Sequence, residues 1–519
     1  MKTAYDYLII GAGPAGLQLA YFLEKRGRDY LILERGKVPG TFFKVFPRHG
    51  TLISINKVYT GKSNPEVNMR WDWNALISDS EEFRFKNYSQ DYFPPPEALV
   101  QYLADYAEHY QLNIRYGTNV KQVSKAENGD FVVVDRKDNQ FTGKRLIVAT
   151  GLFKAMTPNF PGSELCDTYN THSINPDDYR NQRVLVVGKG NSAFETADNL
   201  VGTTTAIHVL SPHSLKLAWE THFVGHLRAV NNNLLDTYQL KSQNTVIDAT
   251  INCVEKINNK YYVDISYSHA NGQTRRLEYD KVILCTGFRF DNSIFDEAVK
   301  PELVFDGKLP MQTSEWESAN VPGMYFAGTI MQACDFKQTM SAFIHGFRHN
   351  VEALSNILEM KYEGQAWPSE TIELSPEAVT AKIIDRANNS PAIFLQPGFM
   401  AEVIVIDEDN HTARLYKNVR KDYIPNSFLA EYNHYYVLSL EYGHFTGNPF
   451  NVERDPDPEM AHEAAYLHPI IRRFNHSELV TEHHIQDDLE SEWHLDEYVK
   501  PALAFFESQL ASYQTAEPA

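Results

Sequence analysis

Cysteine is scarce in this sequence, and the few cysteines present are far apart. Among 519 residues there are four, and no two of them form a C-x-x-C pair. They are Cys166, Cys253, Cys285 and Cys334. Disulphide frameworks, cysteine-ligated zinc sites and redox-active dithiols need cysteines that are dense or paired. The sequence therefore predicts none of these features, and it predicts a reduced, cytoplasmic environment.

Basic residues and long apolar runs are also in short supply. The chain has 48 lysines and arginines against 67 aspartates and glutamates, a net charge of −19. Nucleic-acid and anionic-membrane surfaces need the opposite balance. No apolar run approaches the roughly 18 residues of a transmembrane helix, and a strand-like run starts too early to leave room for a signal peptide. We therefore expect neither nucleic acid nor membrane as a partner.

The strongest positive signal is the N-terminal stretch YDYLIIGAGPAGLQLAYFLEKRGRDYLILERG. Its pattern predicts a strand, a glycine turn, a helix and a second strand ending in Glu34. Gly11 permits the tight turn, Gly13 lets a pyrophosphate approach the backbone, and Gly16 lets the helix pack closely on the strand. Glu34 is placed to accept hydrogen bonds from ribose hydroxyls. This combination predicts a dinucleotide site, with Pro14 and Ala15 at the start of the phosphate-binding helix.

The same pattern recurs in NQRVLVVGKGNSAFETADNLVGTTTAIHVLSPHS. Here the second strand ends in Ser-Pro-His-Ser instead of a carboxylate. Hydroxyls and a histidine can bind a 2′-phosphate that a carboxylate would repel. The pattern therefore predicts an NADPH site, although His213 as a simple turn residue stays open. The expected contacts are Gly188, Gly190, Asn191, Ser192, Ala193, Ser211, His213 and Arg228.

Two short apolar runs flank the second unit and fix the predicted topology. RLIVATG, ending at Gly151, precedes the second unit, and KVILCTG, ending at Gly287, follows it. Such crossing segments are expected when one domain is inserted into another. A later strand leads through Gly328 into a helix, whose first groups are expected near Gln338 and Thr339.

The predicted fold class is α/β, with two Rossmann-type dinucleotide-binding domains, the second inserted in the first, and a C-terminal α+β extension. The first domain is expected to be formed by 1–155 and 286–355, and the NADPH domain by 156–285. The remaining 356–519 contain no cofactor motif, and His483-His484 lacks a second pair at metal-ligand spacing, so no metal site is expected. We expect this region to cap a substrate cleft or to form a subunit contact.

These motifs resemble those of class B flavoprotein monooxygenases. GAGPAG with Glu34 is similar to their FAD half, GKGNSA to their NADPH half, and ATG and CTG to their crossing strands. FPG…YNTHS, which includes His172, is loosely similar to their linker fingerprint. The resemblance implies FAD and NADPH as cofactors, with Arg35, Arg48, Gly151 and Gly328 among the FAD contacts and Gln338 and Thr339 near the flavin edge.

A closer resemblance covers most of the chain. FPRHGTLISINKVYTGK, DWNALI, GNSAFETADN, HLRAVNNNLLDTYQLKS and FIHGFR are similar to the FAD-dependent oxidoreductase domain-containing protein 2 family. The same neighbourhood also looks like the bacterial single-component flavin-dependent halogenases. Those proteins combine flavin reduction and halogenation of phenolic or indolic substrates in one chain.

The resemblance implies a reaction and its residues. NADPH reduces FAD, oxygen adds at the flavin C4a carbon, and the resulting hydroperoxide oxidises halide to halogenate a small aromatic. By motif position Asn56 lies over the flavin, with Trp71 and Trp73 closing one side. Lys57 and Lys241 are the candidates to bind or relay the oxidised halide, although most lysines are simply solvated.

Three functions stay open. The first is the halogenase, with a small aromatic substrate, halide and molecular oxygen as partners. The second is an oxygenase that acts on nitrogen, sulfur or carbon. The third is a redox or binding role in protein quality control, as implied by the resemblance to the FAD-dependent oxidoreductase domain-containing protein 2 family, whose animal members are linked to degradation of misfolded proteins. A disulphide reductase is disfavoured because it needs C-x-x-C. Whether the chain forms a homodimer also stays open.

Overall fold

The computed structural model describes residues 2–240, 243–443 and 451–514, so Lys241 lies outside the described residues. The first part of the chain builds most of the first domain. Its elements in chain order are β1 (Ala4–Ile10), α1 (Pro14–Lys25), β2 (Tyr30–Leu33), α2 (Pro65–Asn68), α3 (Pro96–His109), β3 (Ile114–Arg115), β4 (Val120–Lys125), β5 (Phe131–Asp135) and β6 (Gln140–Val148).

The second domain follows, and the chain then returns to the first. The elements are β7 (Lys154–Ala155), β8 (Asp167–Thr168), β9 (Arg183–Val187), α4 (Asn191–Leu200), β10 (Ala206–Ser211), α5 (Ala218–Thr221), α6 (Asn233–Gln239), β11 (Thr245–Ile257), β12 (Lys260–Tyr267), β13 (Thr274–Tyr279) and β14 (Lys281–Leu284), and then β15 (Phe288–Arg289), β16 (Leu303–Val304), β17 (Leu309–Pro310), β18 (Met324–Phe326) and α7 (Ile344–Glu363).

The first sheet has the order β3-β2-β1-β6-β5-β4, and β18 pairs with β6. Its centre is parallel: β1 runs alongside β2 and β6, and Tyr325 of β18 is in register with Ile147 of β6. The central strands are apolar at nearly every position because both faces are covered, as is typical of parallel sheets. Since β18 follows the second domain in sequence, that domain is an insertion in the first, which confirms the predicted topology.

The second sheet has the order β13-β12-β11-β10-β9-β14-β8. Its strands β8, β14, β9, β10 and the start of β11 are parallel, whereas β11, β12 and β13 form an antiparallel meander. The helix α4 follows β9 directly, at the carboxyl edge where nucleotides bind in open α/β sheets. Both predicted dinucleotide folds are therefore confirmed as folds.

The C-terminal third is the predicted α+β unit, built on one antiparallel sheet. Its elements are β19 (Ser369–Glu373), α8 (Pro376–Asn389), α9 (Pro391–Leu395), β20 (Met400–Asp407), β21 (Thr412–Arg420), β22 (His434–Glu441), β23 (His468–Asn475), β24 (Glu478–His484) and α10 (Asp496–Gln514). The order is β19-β21-β20-β22-β23-β24. It shares one continuous apolar core with the first domain, so the two pack as a unit.

Buried charges join the same two regions. Arg386 of α8 reaches Glu66 of α2 and the buried Glu402 of β20, with nitrogen–oxygen distances of 2.6 and 3.1 Å. Within the first domain, Arg348 of α7 donates to the carbonyl oxygens of Met69, Asp72 and Ala75 and so holds the loop 69–75 against the core. Among the described helices, none has the length and apolar character needed to cross a membrane.

Candidate active site

A groove runs across the carboxyl edge of the first sheet. It consists of two connected cavities of about 150 and 300 Å³. Their shared lining residues are Gly13, Phe42, Ala149 and Thr150. The two cavities therefore meet beside the glycine turn and form one continuous groove, which binding of an extended dinucleotide requires.

The glycines of the first turn have the space that the sequence predicts. A Cβ on Gly16 would lie 2.0 Å from the carbonyl oxygen of Gly11, so the helix packs against the turn only with glycine there. Gly11 has φ +110°, a left-handed conformation. Gly13 has no atom within 4 Å of its Cβ position, which leaves room for a pyrophosphate. Pro14 and Ala15, at the start of α1, also line the groove.

The first end of the groove fits a nucleoside. Glu34 is buried there, and its carboxylate accepts hydrogen bonds from the amides of Ala12 (2.9 Å) and Gly36 (2.7 Å). The Arg35 guanidinium carbon lies 4.8 Å from the centroid of the Phe153 ring, and both residues line the cavity. A carboxylate locked by backbone amides keeps lone pairs in a fixed direction for ribose hydroxyls.

The second end of the groove fits a flat ring system. Gly151 and Gly328 line it with positive φ values, and a Cβ on Gly328 would lie 2.7 Å from the Cβ of Ala15. The first turn of α7 also contributes, through Ile344 and His345. Apolar side chains supply the remaining walls; they are Phe42, Phe43, Leu99, Leu152, Phe343 and Phe347.

The helix at the ring end starts later than the sequence predicted. The segment after Gly328 forms a short 3₁₀ helix, Thr329–Cys334, before α7 begins at Ile344. Thr339 is buried and bonds to Asp335, and Gln338 lines a different cavity. The groove is lined here by residues from Ala342 onward and not by Gln338 or Thr339, so contact of these two residues with the flavin edge stays a prediction that the lining does not support.

Asn56 does not line the groove either. Its amide nitrogen donates to the carbonyl oxygens of Ser89 (2.8 Å) and Asp91 (3.2 Å), and the residue is only 2% exposed. The prediction placed Asn56 over the flavin, whereas from this segment the structure brings Ser54 and Trp73 to the groove. Asn56 instead fastens the segment to the loop before α3.

Of the two predicted lysines, only Lys57 lies in the described part of the chain, and it does not line the groove. Lys57 is exposed and lines a separate polar cavity, shared with Lys62, which forms an ion pair with Glu492. The position of Lys241 lies outside the described residues. A role for these lysines at the reacting centre stays a prediction.

The second dinucleotide turn repeats the geometry of the first. Gly188 has φ +124°, and a Cβ there would lie 2.2 Å from the carbonyl oxygen of Cys285. Among the described residues, no atom lies within 4 Å of the Cβ position of Gly190, and Ala193 of α4 is fully buried. The backbone of Ser192 lies in the first turn of α4. Helix and turn together leave a phosphate-sized opening at the N-terminus of α4.

Asn191 organises the loop beside this opening. Its side chain donates to the carbonyl oxygen of His226 (2.7 Å) and accepts from the amide of Arg228 (2.9 Å). The Arg228 side chain then crosses to the first domain, where it donates to the carbonyl oxygen of Ile53 (3.0 Å) and lies over the Trp73 ring at 5.4 Å. Arg228 therefore connects the loop beside α4 with Trp73 at the ring end of the groove.

A carboxylate does lie beside the end of β10, although the sequence pattern did not reveal it. Asp248 of β11 is in register with Ser211. Its carboxylate pairs with Lys189 and accepts from the Ser214 hydroxyl at 2.8 Å. Burial alone would raise the pKa of Asp248, but these hydrogen bonds lower it overall. His213 is exposed, and its carbonyl oxygen accepts from Lys189 at 2.9 Å. The sequence pattern could not reveal Asp248, because only the pairing of β11 with β10 brings this residue beside Ser211.

Arg48 also joins the two domains. Its guanidinium donates to the carbonyl oxygen of Tyr169 (2.5 Å) and lies 3.0 Å from Nδ1 of His172. The Tyr169 hydroxyl in turn donates to Glu195 of α4 at 3.0 Å. Burial raises the pKa of Glu195 to about 7, although hydrogen bonds from Tyr169 and the backbone of His49 oppose the shift. Arg48 thus lies at a domain contact and is absent from the groove lining.

A further cavity of about 600 Å³ adjoins the ring end of the groove. Trp73 lines both. The other lining residues come from the nucleotide domain, the first domain and the C-terminal unit, and they include Val224, Met340, Phe394, Leu395, Pro397 and Glu441. Its size and mixed apolar and polar walls are those of a small-molecule site.

None of the four cysteines is paired. Burial raises the pKa of the Cys166 and Cys285 thiols to about 12 and that of Cys334 to about 11. Buried thiols of this kind are poor nucleophiles. Among the described residues, no group of three or more histidines, cysteines or carboxylates could hold a metal ion.

Two dinucleotide folds, the second inserted in the first, together with a groove shaped for FAD, define a two-domain flavoprotein. Residues 8–328 match the family described as pyridine nucleotide-disulphide oxidoreductase. The chain belongs to this family. It is a flavin-dependent oxidoreductase with FAD and NAD(P)H as its cofactors, and the residues of both sites fit them.

Three comparisons place the chain among known proteins. FAD-dependent oxidoreductase domain-containing protein 2 from Mus musculus is 36% identical, over 94% of this chain and 81% of that protein. Flavin-containing monooxygenase FMO GS-OX-like 9 from Arabidopsis thaliana is 26% identical, over 62% of this chain and 70% of that protein. The structure of a flavin-containing monooxygenase from Stenotrophomonas maltophilia covers 70% of this chain and 99% of its own, with 22% identity and a TM-score of 0.54; this similarity concerns the fold.

Proposed function

We propose that the chain is a single-component, NADPH-dependent flavin monooxygenase. It transfers one atom of molecular oxygen to a small organic acceptor in the cavity of about 600 Å³ beside Trp73. The observation that carries the proposal is that this cavity and the flavin groove share a wall at Trp73. The four thiols are unpaired, and the pKa values of Cys166, Cys285 and Cys334 are raised, which argues against the alternative reaction of the fold family, disulphide reduction.

The flavin, when bound, accepts a hydride from the nicotinamide and activates oxygen. The chain's own residues prepare the surroundings of that chemistry. The N-terminus of α7 points free N–H groups and a partial positive charge at the ring end of the groove, where negative charge on a reduced ring is stabilised. Phe42, Phe43 and Leu152 exclude water from its walls.

The nucleotide domain supplies the reductant. Gly190 and the N-terminus of α4 bind the pyrophosphate. At the end of β10 the Ser211 hydroxyl donates to the carbonyl oxygen of His213, and the Ser214 hydroxyl donates to Asp248, whose charge Lys189 neutralises. We infer that this pairing removes the repulsion that a free carboxylate would exert on a 2′-phosphate, and so allows NADPH to bind.

The acceptor cavity has both apolar and polar walls, and the C-terminal unit contributes part of its lining. Phe394, Leu395 and Pro397 are contributed by that unit, and Trp73 by the first domain. Aromatic and aliphatic walls favour a small acceptor with an apolar or aromatic body. We infer that capping this cavity is the role of the C-terminal unit.

Halogenation, the first expectation from the sequence, is the alternative fate of the activated oxygen. Lys57 lines a different cavity from the flavin groove, so the described lysines give it no particular support. Incubation of the purified flavoprotein with NADPH, oxygen and a panel of amines, sulfides, phenols and indoles, with and without bromide, separates the two reactions. We expect oxygenated products of the same yield in both conditions. Products whose formation needs bromide would instead establish halogenation. Formation of hydrogen peroxide alone would contradict both oxygenation and halogenation of the panel.

The cavity is tested within the same assay. Val224 lines the cavity and is half-buried, whereas Val230 is exposed and does not line it. We expect Val224→Trp to fill the cavity and to lower product formed per NADPH by about tenfold or more, with hydrogen peroxide rising in its place and flavin reduction unchanged. Val230→Trp is the control. If the two variants formed the same amount of product per NADPH, the acceptor would bind outside this cavity.

A further inference from the structure

A buried histidine at the ring end of the groove has no hydrogen-bond partner among the residues that the structure describes. His345 is 1% exposed, and within 2–240, 243–443 and 451–514 neither its Nδ1 nor its Nε2 has a hydrogen-bond partner. It lies in the first turn of α7 and lines the groove. A buried polar group without a partner costs stability, so a ring with two orphaned nitrogens at a ligand groove points to a ligand that supplies the partners.

The orientation of the imidazole is fixed by aromatic neighbours. The Trp73 ring stacks on it with centroids 4.1 Å apart and planes 18° apart. The Phe343 ring lies nearly parallel to it as well, with centroids 5.8 Å apart and planes 9° apart. Arg228 covers Trp73 at 5.4 Å. These ring contacts fix the plane of the imidazole at the wall of the groove.

The protonation state of the imidazole follows from its surroundings. Burial, with the nearby charges of Arg348 and Arg228, lowers the pKa of His345 well below its ordinary value. The imidazole is therefore neutral, with one N–H donor and one lone pair. A flavin ring offers both counterparts along its polar edge, namely carbonyl oxygens, an N–H group and a ring nitrogen.

We propose that His345 is the side chain that hydrogen-bonds the polar edge of the flavin ring, held in position by its contacts with the Trp73 and Phe343 rings. It acts as a positioning residue on the cofactor. The proposal depends on FAD occupying the groove and is independent of which substrate is oxidised.

Replacement with phenylalanine separates the hydrogen bond from the stack. His345→Phe keeps an aromatic ring in contact with Trp73 and Phe343 and removes both nitrogens. We expect the FAD dissociation constant to rise about tenfold, the value of one buried hydrogen bond, with a shift of the visible flavin absorption bands. His345→Gln retains a donor and an acceptor, and we expect it to recover most of the affinity and the wild-type bands.

The matched control lies on the same helix, one turn later. His349 is also buried, but it contacts Arg348 and does not line the groove. His349→Phe should therefore leave FAD affinity and the absorption bands unchanged. Thermal unfolding of each apoprotein reports folding separately. If folded His345→Phe bound FAD with wild-type affinity and an unshifted spectrum, the proposal would be overturned, whatever the activity of the holoenzyme.

Discussion

Gly188 and Gly190 lie in one turn, but a side chain would meet protein atoms at Gly188 and open space at Gly190. Substitution of Gly188 should therefore affect folding, whereas substitution of Gly190 should affect ligand binding. A Cβ on Gly188 would collide with the carbonyl oxygen of Cys285 at 2.2 Å, and the backbone there has φ +124°. The Cβ position of Gly190 is open, and its φ of −90° suits any residue. The open space behind Gly190 is where a pyrophosphate approaches the turn.

The expected result of Gly190→Ala is a binding defect without a folding defect. The methyl group displaces the pyrophosphate, so we expect the dissociation constant of NADPH to rise by about tenfold or more, while the unfolding temperature and FAD content stay at the wild-type values. Gly188→Ala should lower the unfolding temperature. Titration of the oxidised protein with NADPH and thermal scanning give the two quantities. Unchanged NADPH affinity in Gly190→Ala would move the nucleotide away from this turn.

Residue patterns were informative where the chemistry is local in sequence. Gly11, Gly13 and Gly16 belong to one turn, and their roles follow from spacing alone. Asn56, by contrast, lies in a segment without regular structure, whose path depends on tertiary contacts such as those of Arg348 with Met69 and Asp72. Such contacts are distant in sequence, so motif position could not show which side chains of 46–77 face the groove.

At the scale of elements, helix α4 has two functions. Its N-terminus forms the second phosphate site, and its residue Glu195 fastens the helix to the first domain through Tyr169 and the backbone of His49. Helix and strand positions were predictable from the strand–turn–helix pattern. The start of α7 was not, because the residues before it form a 3₁₀ helix and turns, and Asp248 was missed because it approaches Ser211 only through strand pairing.

The α4 contact gives a pH dependence of stability. Because burial raises the pKa of Glu195 from 4.5 to about 7, the folded protein keeps a proton that the unfolded chain loses first as pH rises. The contribution to the free energy of unfolding is full below pH 4.5 and is lost as pH rises through 7. The Glu195→Gln variant has no titrating group at this position, so its stability does not fall with pH in this way. We therefore expect the free energy of unfolding of Glu195→Gln, relative to that of the wild type, to increase from pH 5 to pH 8 by at most about 3 kcal/mol.

Thermal unfolding across this pH range measures the effect. Glu164→Gln alters an exposed carboxylate of the same domain and should follow the wild-type profile. A gap between Glu195→Gln and wild type that stays constant from pH 5 to 8 would show that Glu195 is ionised in the folded protein.

At the scale of the whole molecule, three structural units meet at one place. The flavin groove belongs to the first domain, Arg228 reaches it from the nucleotide domain, and Phe394 of the C-terminal unit closes the neighbouring cavity. The sequence predicted the order of the units and the insertion. It could not predict the cavity, because the lining residues are contributed by segments without a shared motif, and only their packing brings them together.

The most direct test of the proposed oxygen transfer is the fate of labelled oxygen. The purified protein is supplied with NADPH, ¹⁸O₂ and an acceptor from the panel that gives product. We predict one labelled oxygen atom in each product molecule and one NADPH consumed per product, independent of bromide. A product without the label, or with bromine in place of oxygen, would contradict the account.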